Sequence, residues 1–219
     1  MLGAYEVLDT GAEADFDDIT IIAAQLAGTP MAAVSFVDAE RQWFKSMVGL
    51  PVRETERGVP FCAHAIERPG AVMVVPDAAA DARLADNRLV TGAPGVRLCA
   101  GSPLVAPGGE ALGALCVLDT CPRELDAAQL GGLAALGRQV VALLEARRAA
   151  RRLGDALDAQ VRAERDRLVA TEELQAAFEL APVGVSLIGA DGRYQRVNPA
   201  VAALVGREPC QVVGRTTPS

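Results

Sequence analysis

Phe-Cys-Ala-His-Ala-Ile, residues 61–66, holds Cys62 and the single histidine of the chain, His64. A thiol beside an imidazole can be a nucleophile and its base, or two ligands of a transition metal. The spacing argues against both. On a helix, positions i and i+2 point about 200° apart, so the two side chains do not converge on one atom. With no second histidine, a His-rich or HExxH metal site is excluded. Packing is the better reading for Cys62, and a hydrogen-bonding or pocket-wall role for His64. The other thiols are Cys99, Cys116, Cys121 and Cys210, and no CxxC pair exists, so neither a zinc ribbon nor a thioredoxin-like site is suggested. A thiol-based redox sensor or reductase built on Cys62, Cys99 or Cys116 would need an accessible thiolate of low pKa, with His64 and Arg97 as the candidate activators. Cys116 lies in an apolar strand and is expected to be buried and inert.

The second stretch with chemical content is Arg41-Gln42-Trp43-Phe44-Lys45-Ser46. On a strand, Arg41, Trp43 and Lys45 share one face, and Gln42, Phe44 and Ser46 the other. One face meets helices and the other meets solvent or a pocket. Trp43 is then either a core aromatic or a pocket wall. Arg53-Glu54-Thr55-Glu56-Arg57 reads as a solvated turn with weak local ion pairs. Asp77, Asp81 and Asp86 could chelate a hard cation, but capping of short helices explains them more simply. No GxGxxG, P-loop or GxSxG motif occurs.

These residues must be positioned by the elements around them. Phe16, Ile19, Ile22, Ala23 and Leu26 recur at helical spacing, and Gly28-Thr29-Pro30 ends that helix. Residues 31–38 and 41–48 read as a hairpin across Ala39-Glu40. Residues 49–60 read as a loop leading into a helix at Phe61–Glu67. Residues 71–77 are a strand, and 81–95 are polar with turn character. Residues 96–106 and 110–120 form a hairpin around Pro107-Gly108-Gly109. Gly101 and Gly113 interrupt its two strands, where a bulge or a close backbone approach would need them. The first zone is therefore an α+β domain with an antiparallel sheet flanked by helices.

From Glu124 to about Phe178 there is no proline, and Leu133, Leu136, Val140, Leu143, Ala150, Leu157, Val161 and Leu168 fall three, four or seven apart. This imperfect heptad stripe predicts a helix of roughly 75 Å, too long to bury its stripe on one small domain. Its simplest partner is a second copy, giving a homodimer through residues 124–178. Residues 179–219 read as strand, Asp-Gly turn, strand and a helix starting at Asn198-Pro199, and are too short to fold alone.

The chain has 219 residues, a net charge of −7, and one Trp, two Tyr and five Phe, so its core is built from small aliphatic side chains. The negative charge argues against nucleic acid and gives no pull toward anionic lipid. No run approaches the roughly 18 to 20 apolar residues of a membrane span. The acidic N-terminus lacks an apolar signal region. A reduced, cytoplasmic, soluble protein is expected.

With these residues laid out, the first zone resembles a GAF domain of a bacterial subgroup. The resemblance rests on Arg41–Ser46, Glu54-Thr55 with Arg57, Phe61–Ile66, Val75–Ala78, Ala85–Asn87, Val90–Gly92, Ala100–Leu104, Leu112–Thr120 and Pro122-Arg123. It covers residues 1–148. Glu179–Ile188 and Asp191–Arg207 resemble the start of a PAS domain. The resemblance implies a sheet of about six strands, a helical coiled-coil linker over 149–178 and a truncated PAS segment over 179–219. It implies a sensor feeding an output domain such as a histidine kinase, as in a two-component system, or a diguanylate cyclase. Some family features are missing. Arg97-Leu98-Cys99 replaces an Arg-Phe-Tyr run and Leu84 replaces a Phe. The NKFDE pattern of cyclic-nucleotide GAF domains, the adjacent Cys-His of bilin binders and the three cysteines of methionine-sulfoxide-reducing members are absent. A haem would have to take His64 as its axial ligand.

The expectation is a non-enzymatic sensory module with a small ligand held by Trp43, Lys45, Phe61, His64, Arg97 and Cys99. The alternatives are the thiol sensor or reductase and a purely structural dimerisation module.

Overall fold

The computed structural model describes residues 2–50, 53–56 and 61–216, with Glu56 and Ala63 described by their backbone only. The chain divides into two compact units, residues 1–151 and 152–219.

In the first unit, helix α1 (Ala14–Ala27) forms where Phe16, Ile19, Ala23 and Ala27 return to one buried face. Asp15 and Asp17 sit in its first turn, where carboxylates complement the helix dipole. Gly28, at φ 63°, closes it by donating its backbone N–H to Ala24 and Gln25 carbonyls, a conformation that glycine adopts without Cβ strain. Strands β1 (Met31–Val37) and β2 (Arg41–Val48) form the expected hairpin. Asp38 holds the turn: its Oδ1 accepts from the Glu40 and Arg41 backbone N–H groups at 2.8 and 2.7 Å.

A bulge interrupts this pair. Ser35 faces Phe44 and Val34 faces Ser46, which leaves Lys45 as the extra residue on β2. The expected alternation holds for Trp43 and Lys45 on the α1 side and for Gln42 and Phe44 on the other. It fails at Ser46. The bulge turns Ser46 toward α1, where its hydroxyl donates to Asp17 Oδ1 at 2.6 Å.

Residues 54–56, expected in a loop, instead form a short edge strand, β3 (Glu54–Glu56), antiparallel to β2. Three charged or polar residues carry no apolar alternation, so the pattern offers no strand signal; charge is how an exposed edge is protected. Glu54 pairs with Arg41 at 2.6 Å. The expected ion pairs of Arg57 lie outside the described residues.

Helix α2 (Phe61–Ile66), strand β4 (Met73–Val75) and helix α3 (Arg88–Thr91) follow. The Asn87 side chain caps α3 by accepting from Leu89 N at 2.8 Å. Strands β5 (Leu98–Val105) and β6 (Ala111–Asp119) form the second hairpin. The six strands make one antiparallel sheet in the order β3-β2-β1-β6-β5-β4. One face carries a core with α1, around Phe16, Phe36, Trp43, Leu104 and Leu115. The other carries α2 and α3, around Phe61, Leu84, Val96, Cys99 and Leu118.

The glycines in the hairpin are sites of close approach, as expected. A Cβ on Gly113 would lie 1.9 Å from the Ser35 carbonyl oxygen, and one on Gly101 would lie 3.1 Å from both Ala65 Cβ and Cys116 Sγ. Gly101 thus lets α2 settle onto β5 and β6.

Helix α4 (Ala127–Leu180) begins against this unit, with Leu133, Gly137, Val140 and Leu144 buried at three- and four-residue spacing. A strap of charge holds the N-terminal segment on it. Arg147 donates to Glu13 at 2.6 Å, Arg151 donates to Glu6 at 2.5 Å, and the Tyr5 hydroxyl donates to Glu145. Further along the same helix Leu153, Leu157, Val161 and Leu168 are 57 to 72 % exposed. The single stripe read from the sequence is therefore two: one buried against the chain's own core, one open. By length and composition alone, part of α4 would suffice to cross a membrane, a property that core helices of globular domains share.

The second unit contains the hairpin β7 (Ser186–Ile188) and β8 (Tyr194–Val197), then α5 (Pro199–Val205) and α6 (Pro209–Val212). Buried Asn198 organises it. Its Oδ1 accepts from Val201 N and Val185 N at 3.1 and 2.9 Å, and its Nδ2 donates to the Val183 carbonyl at 2.8 Å.

Candidate functional site

Between the sheet and α2 lies a small, mainly apolar cavity of about 30 Å³, whose lining includes Gln42, Phe44, Thr55, Phe61, Cys62 and Cys116 among aliphatic side chains such as Leu50 and Leu118. Strand alternation sends Gln42 and Phe44 from β2, and Cys116 from β6, to this face. Helix α2 brings Phe61 and Cys62 down onto it. Two sulfurs meet at its edge: Cys62 Sγ and Cys116 Sγ are 3.0 Å apart, and Gln42 Nε2 donates to Cys62 Sγ at 3.1 Å. Both thiols are buried. The hydrogen bond from Cys116 holds the Cys62 thiol below its ordinary range against the opposing effect of burial, with Ser35 and Gln42 adding to the lowering. Hydrogen bonding to Cys62 and burial push Cys116 well up. Two of the lining residues, Gln42 and Thr55, carry buried polar atoms, Oε1 and Oγ1, that have no hydrogen-bond partner. Such groups cost free energy unless something polar meets them.

The six residues expected to hold a ligand do not converge. Phe61 lines the cavity. Cys99 is buried in the adjoining apolar cluster with Phe61 and Leu118, and burial pushes its thiol well up. His64 turns outward, about a third exposed, with Nδ1 3.5 Å from Glu67 Oε1; the Cys62–His64 pair diverges as the helical spacing implied. Arg97 is committed to Asp77 in a two-bond fork of 2.6 and 2.8 Å, which holds that carboxyl below its usual range. Trp43 and Lys45 lie on the opposite face of the sheet. There the fully buried Lys45 ammonium donates to Thr10 Oγ1, the Gly11 carbonyl and Glu13 Oε1 at 2.8, 2.6 and 2.6 Å. Burial would raise Glu13, but hydrogen bonds from Lys45 and Arg147 outweigh it and hold its carboxyl below the ordinary value.

The other polar candidates are structural. Asp81 is held down to about 2 by its hydrogen bonds with Arg83, and no group of three or more metal-ligating side chains occurs among the described residues. The expected ligand set left out Gln42, Thr55 and Cys116, although Cys116 was among the thiols of the redox alternative and is buried as expected. Gln42 could have been found from its shared face with Phe44. Nothing in the sequence joins Cys62 to Cys116, because the contact is made by packing α2 on β6.

At about 30 Å³ the cavity is an order of magnitude below the roughly 300 Å³ where pockets for drug-sized ligands begin. A haem, bilin or nucleotide could enter only if α2 moved.

The GAF domain model matches residues 12–144 and a PAS domain model matches residues 172–218. A cyclic di-GMP phosphodiesterase of Pseudomonas aeruginosa is 42 % identical over 134 residues, which are 59 % of this chain and 23 % of that protein. The chain thus spans less than a quarter of that relative's length. Among solved structures, the blue-light-absorbing form of the Thermosynechococcus elongatus PixJ GAF domain superposes with a TM-score of 0.56 at 18 % identity, covering 67 % of this chain and 92 % of that one. The free methionine-R-sulfoxide reductase of Neisseria meningitidis, in complex with its substrate, gives 0.52 at 19 % identity, covering 68 % and 89 %. The GAF domain of a Coxiella burnetii phosphoenolpyruvate-protein phosphotransferase gives 0.52 at 15 %, covering 71 % and 94 %. At these identities the likeness is one of fold.

Proposed function

The chain belongs to the GAF domain family, and from that premise we propose that it is a non-catalytic sensory input module of a cytoplasmic signalling protein. The observation that carries this reading is the pairing of a GAF domain and a PAS segment on one chain, with helix α4 beginning on the GAF core. The relative's name supports a signalling setting, in which the shared 134 residues are a minor part of a longer phosphodiesterase. A signal received in the cavity beneath α2 biases two arrangements of a homodimer, and the open stripe of α4 carries the difference onward. A ligand achieves this only through unequal affinity for the two states. The small cavity restricts the ligand to a few heavy atoms unless α2 moves.

Native mass spectrometry of the protein as purified, with a denatured spectrum in parallel, tests the reading. The expected result is a dimer with an added mass that is lost on denaturation. A dimer with no added mass, whose melting temperature no member of a metabolite panel raises, would overturn the small-ligand reading and leave a dimerisation module.

A further inference from the structure

We propose that Cys62 and Cys116 are a dithiol that closes to a disulfide on oxidation by a small hydroperoxide admitted to the cavity they share. Three observations carry this. The sulfurs already lie 3.0 Å apart, so bonding needs an approach of only about 1 Å. The cavity of about 30 Å³ has room for roughly two water-sized groups, the size of hydrogen peroxide. Its lining is mainly apolar, and two of the lining residues, Gln42 and Thr55, carry a buried polar atom with no hydrogen-bond partner, within reach of which a small guest able to donate and accept would be favoured.

The pair is unsymmetrical in a useful way. Either sulfur can donate across the Cys62–Cys116 contact, but only Cys62 has an amide donor, Gln42 Nε2 at 3.1 Å, and that donor favours its thiolate. Cys62 is therefore the attacking sulfur and Cys116 the resolving one. In the first step the Cys62 thiolate attacks one peroxide oxygen. An S–O bond forms, the O–O bond breaks, and the departing hydroxide takes up the proton that Cys62 released, giving a sulfenic acid and water. In the second step Cys116 sulfur attacks the Cys62 sulfur. The S–S bond forms, the S–O bond breaks, and the hydroxide leaves as water with the Cys116 proton. Two thiols lose two electrons and two protons in all, and one peroxide becomes two waters. Cys99, buried in the neighbouring cluster, takes no part.

The bond would tie α2 covalently to β6, the strand whose end at Asp119 leads into α4 at Ala127. The chemistry stands by itself; its use as the signal rests on the sensory reading above.

The full chain is treated with hydrogen peroxide, blocked with an alkylating agent, digested without reduction and mapped. The expected product is a peptide linking Cys62 to Cys116, with a rise in melting temperature of roughly 10 °C from closing a loop of this length. Thiol reductant reverses both. Cys99→Ser keeps the link, Cys116→Ser abolishes it and leaves a trappable sulfenic acid at Cys62, and Gln42→Leu slows its formation about tenfold. Failure to link Cys62 to Cys116 in the wild type, while exposed Cys121 and Cys210 oxidise, overturns the proposal and leaves the ligand-sensor reading intact. If the link forms but hydrogen exchange along α4 is unchanged, the dithiol stands and its signalling role fails.

Discussion

Lys45 is the only lysine of the chain, and its ammonium is sealed inside the protein. A buried cation is tolerated only with partners, and Glu13 is the one that brings charge. Glu13→Gln should lower stability by about 3 kcal/mol, because it leaves Lys45 uncompensated. Glu13→Gln combined with Lys45→Met should recover much of that loss. Chemical denaturation at neutral pH measures both. The same pair sets a pH dependence. The Glu13 carboxyl is held below its ordinary value of about 4.5 in the folded state, so its contribution is fully present above about 4.5 and is lost as the pH falls through the lower folded value. The wild-type melting temperature should therefore fall more steeply below pH 4.5 than that of Glu13→Gln. Parallel curves would mean that the ion pair contributes nothing to acid sensitivity.

At the scale of elements, close contacts between backbones decide what the sheet accepts. Gly113→Ala puts a methyl group against the Ser35 carbonyl, a backbone atom that cannot rotate away. We expect a loss of about 3 kcal/mol by thermal or urea unfolding. Asn198→Ala removes the cap of α5 and the bonds to Val183 and Val185. It should cost the second unit about 2 kcal/mol, read from residues 183–201 by hydrogen exchange, while exchange in β1 and β6 stays unchanged. The elements that were legible in advance are those with strong local chemistry: α1 with its Gly28 stop, the two long hairpins, the Asn198-Pro199 helix start, and the glycines in β5 and β6. Strand β3 was hidden because its charged residues have no periodicity. The side reached by Ser46 was hidden because one bulged residue reverses the pleat. The thiol pair was hidden because Cys62 and Cys116 are joined by tertiary packing alone, and the expected ligand residues are divided for a related reason. Trp43 and Lys45 sit on one side of the sheet and Phe61 and Cys99 on the other, a separation that strand alternation alone assigns only once the sides themselves are known.

For the whole molecule, the division of the α4 stripe matters most. Its first part is used up by the domain's own core, whereas Leu157 and Val161 remain well exposed. Leu157→Asp together with Val161→Asp should therefore convert the proposed dimer to monomer in sedimentation velocity, with the melting temperature of the first unit within a few degrees of wild type. An unchanged dimer would move the interface elsewhere. The strap of Tyr5, Glu6 and Glu13 on Glu145, Arg147 and Arg151 has a practical corollary for anyone tagging this protein. A fluorescent reporter or affinity handle spliced ahead of Leu2 would be tethered within a few residues of the surface where the long helix leaves its buried contacts. Such a fusion is in effect a weight hung on that helix, and a handle at that end would be a poor choice for any assay meant to observe the helix undisturbed.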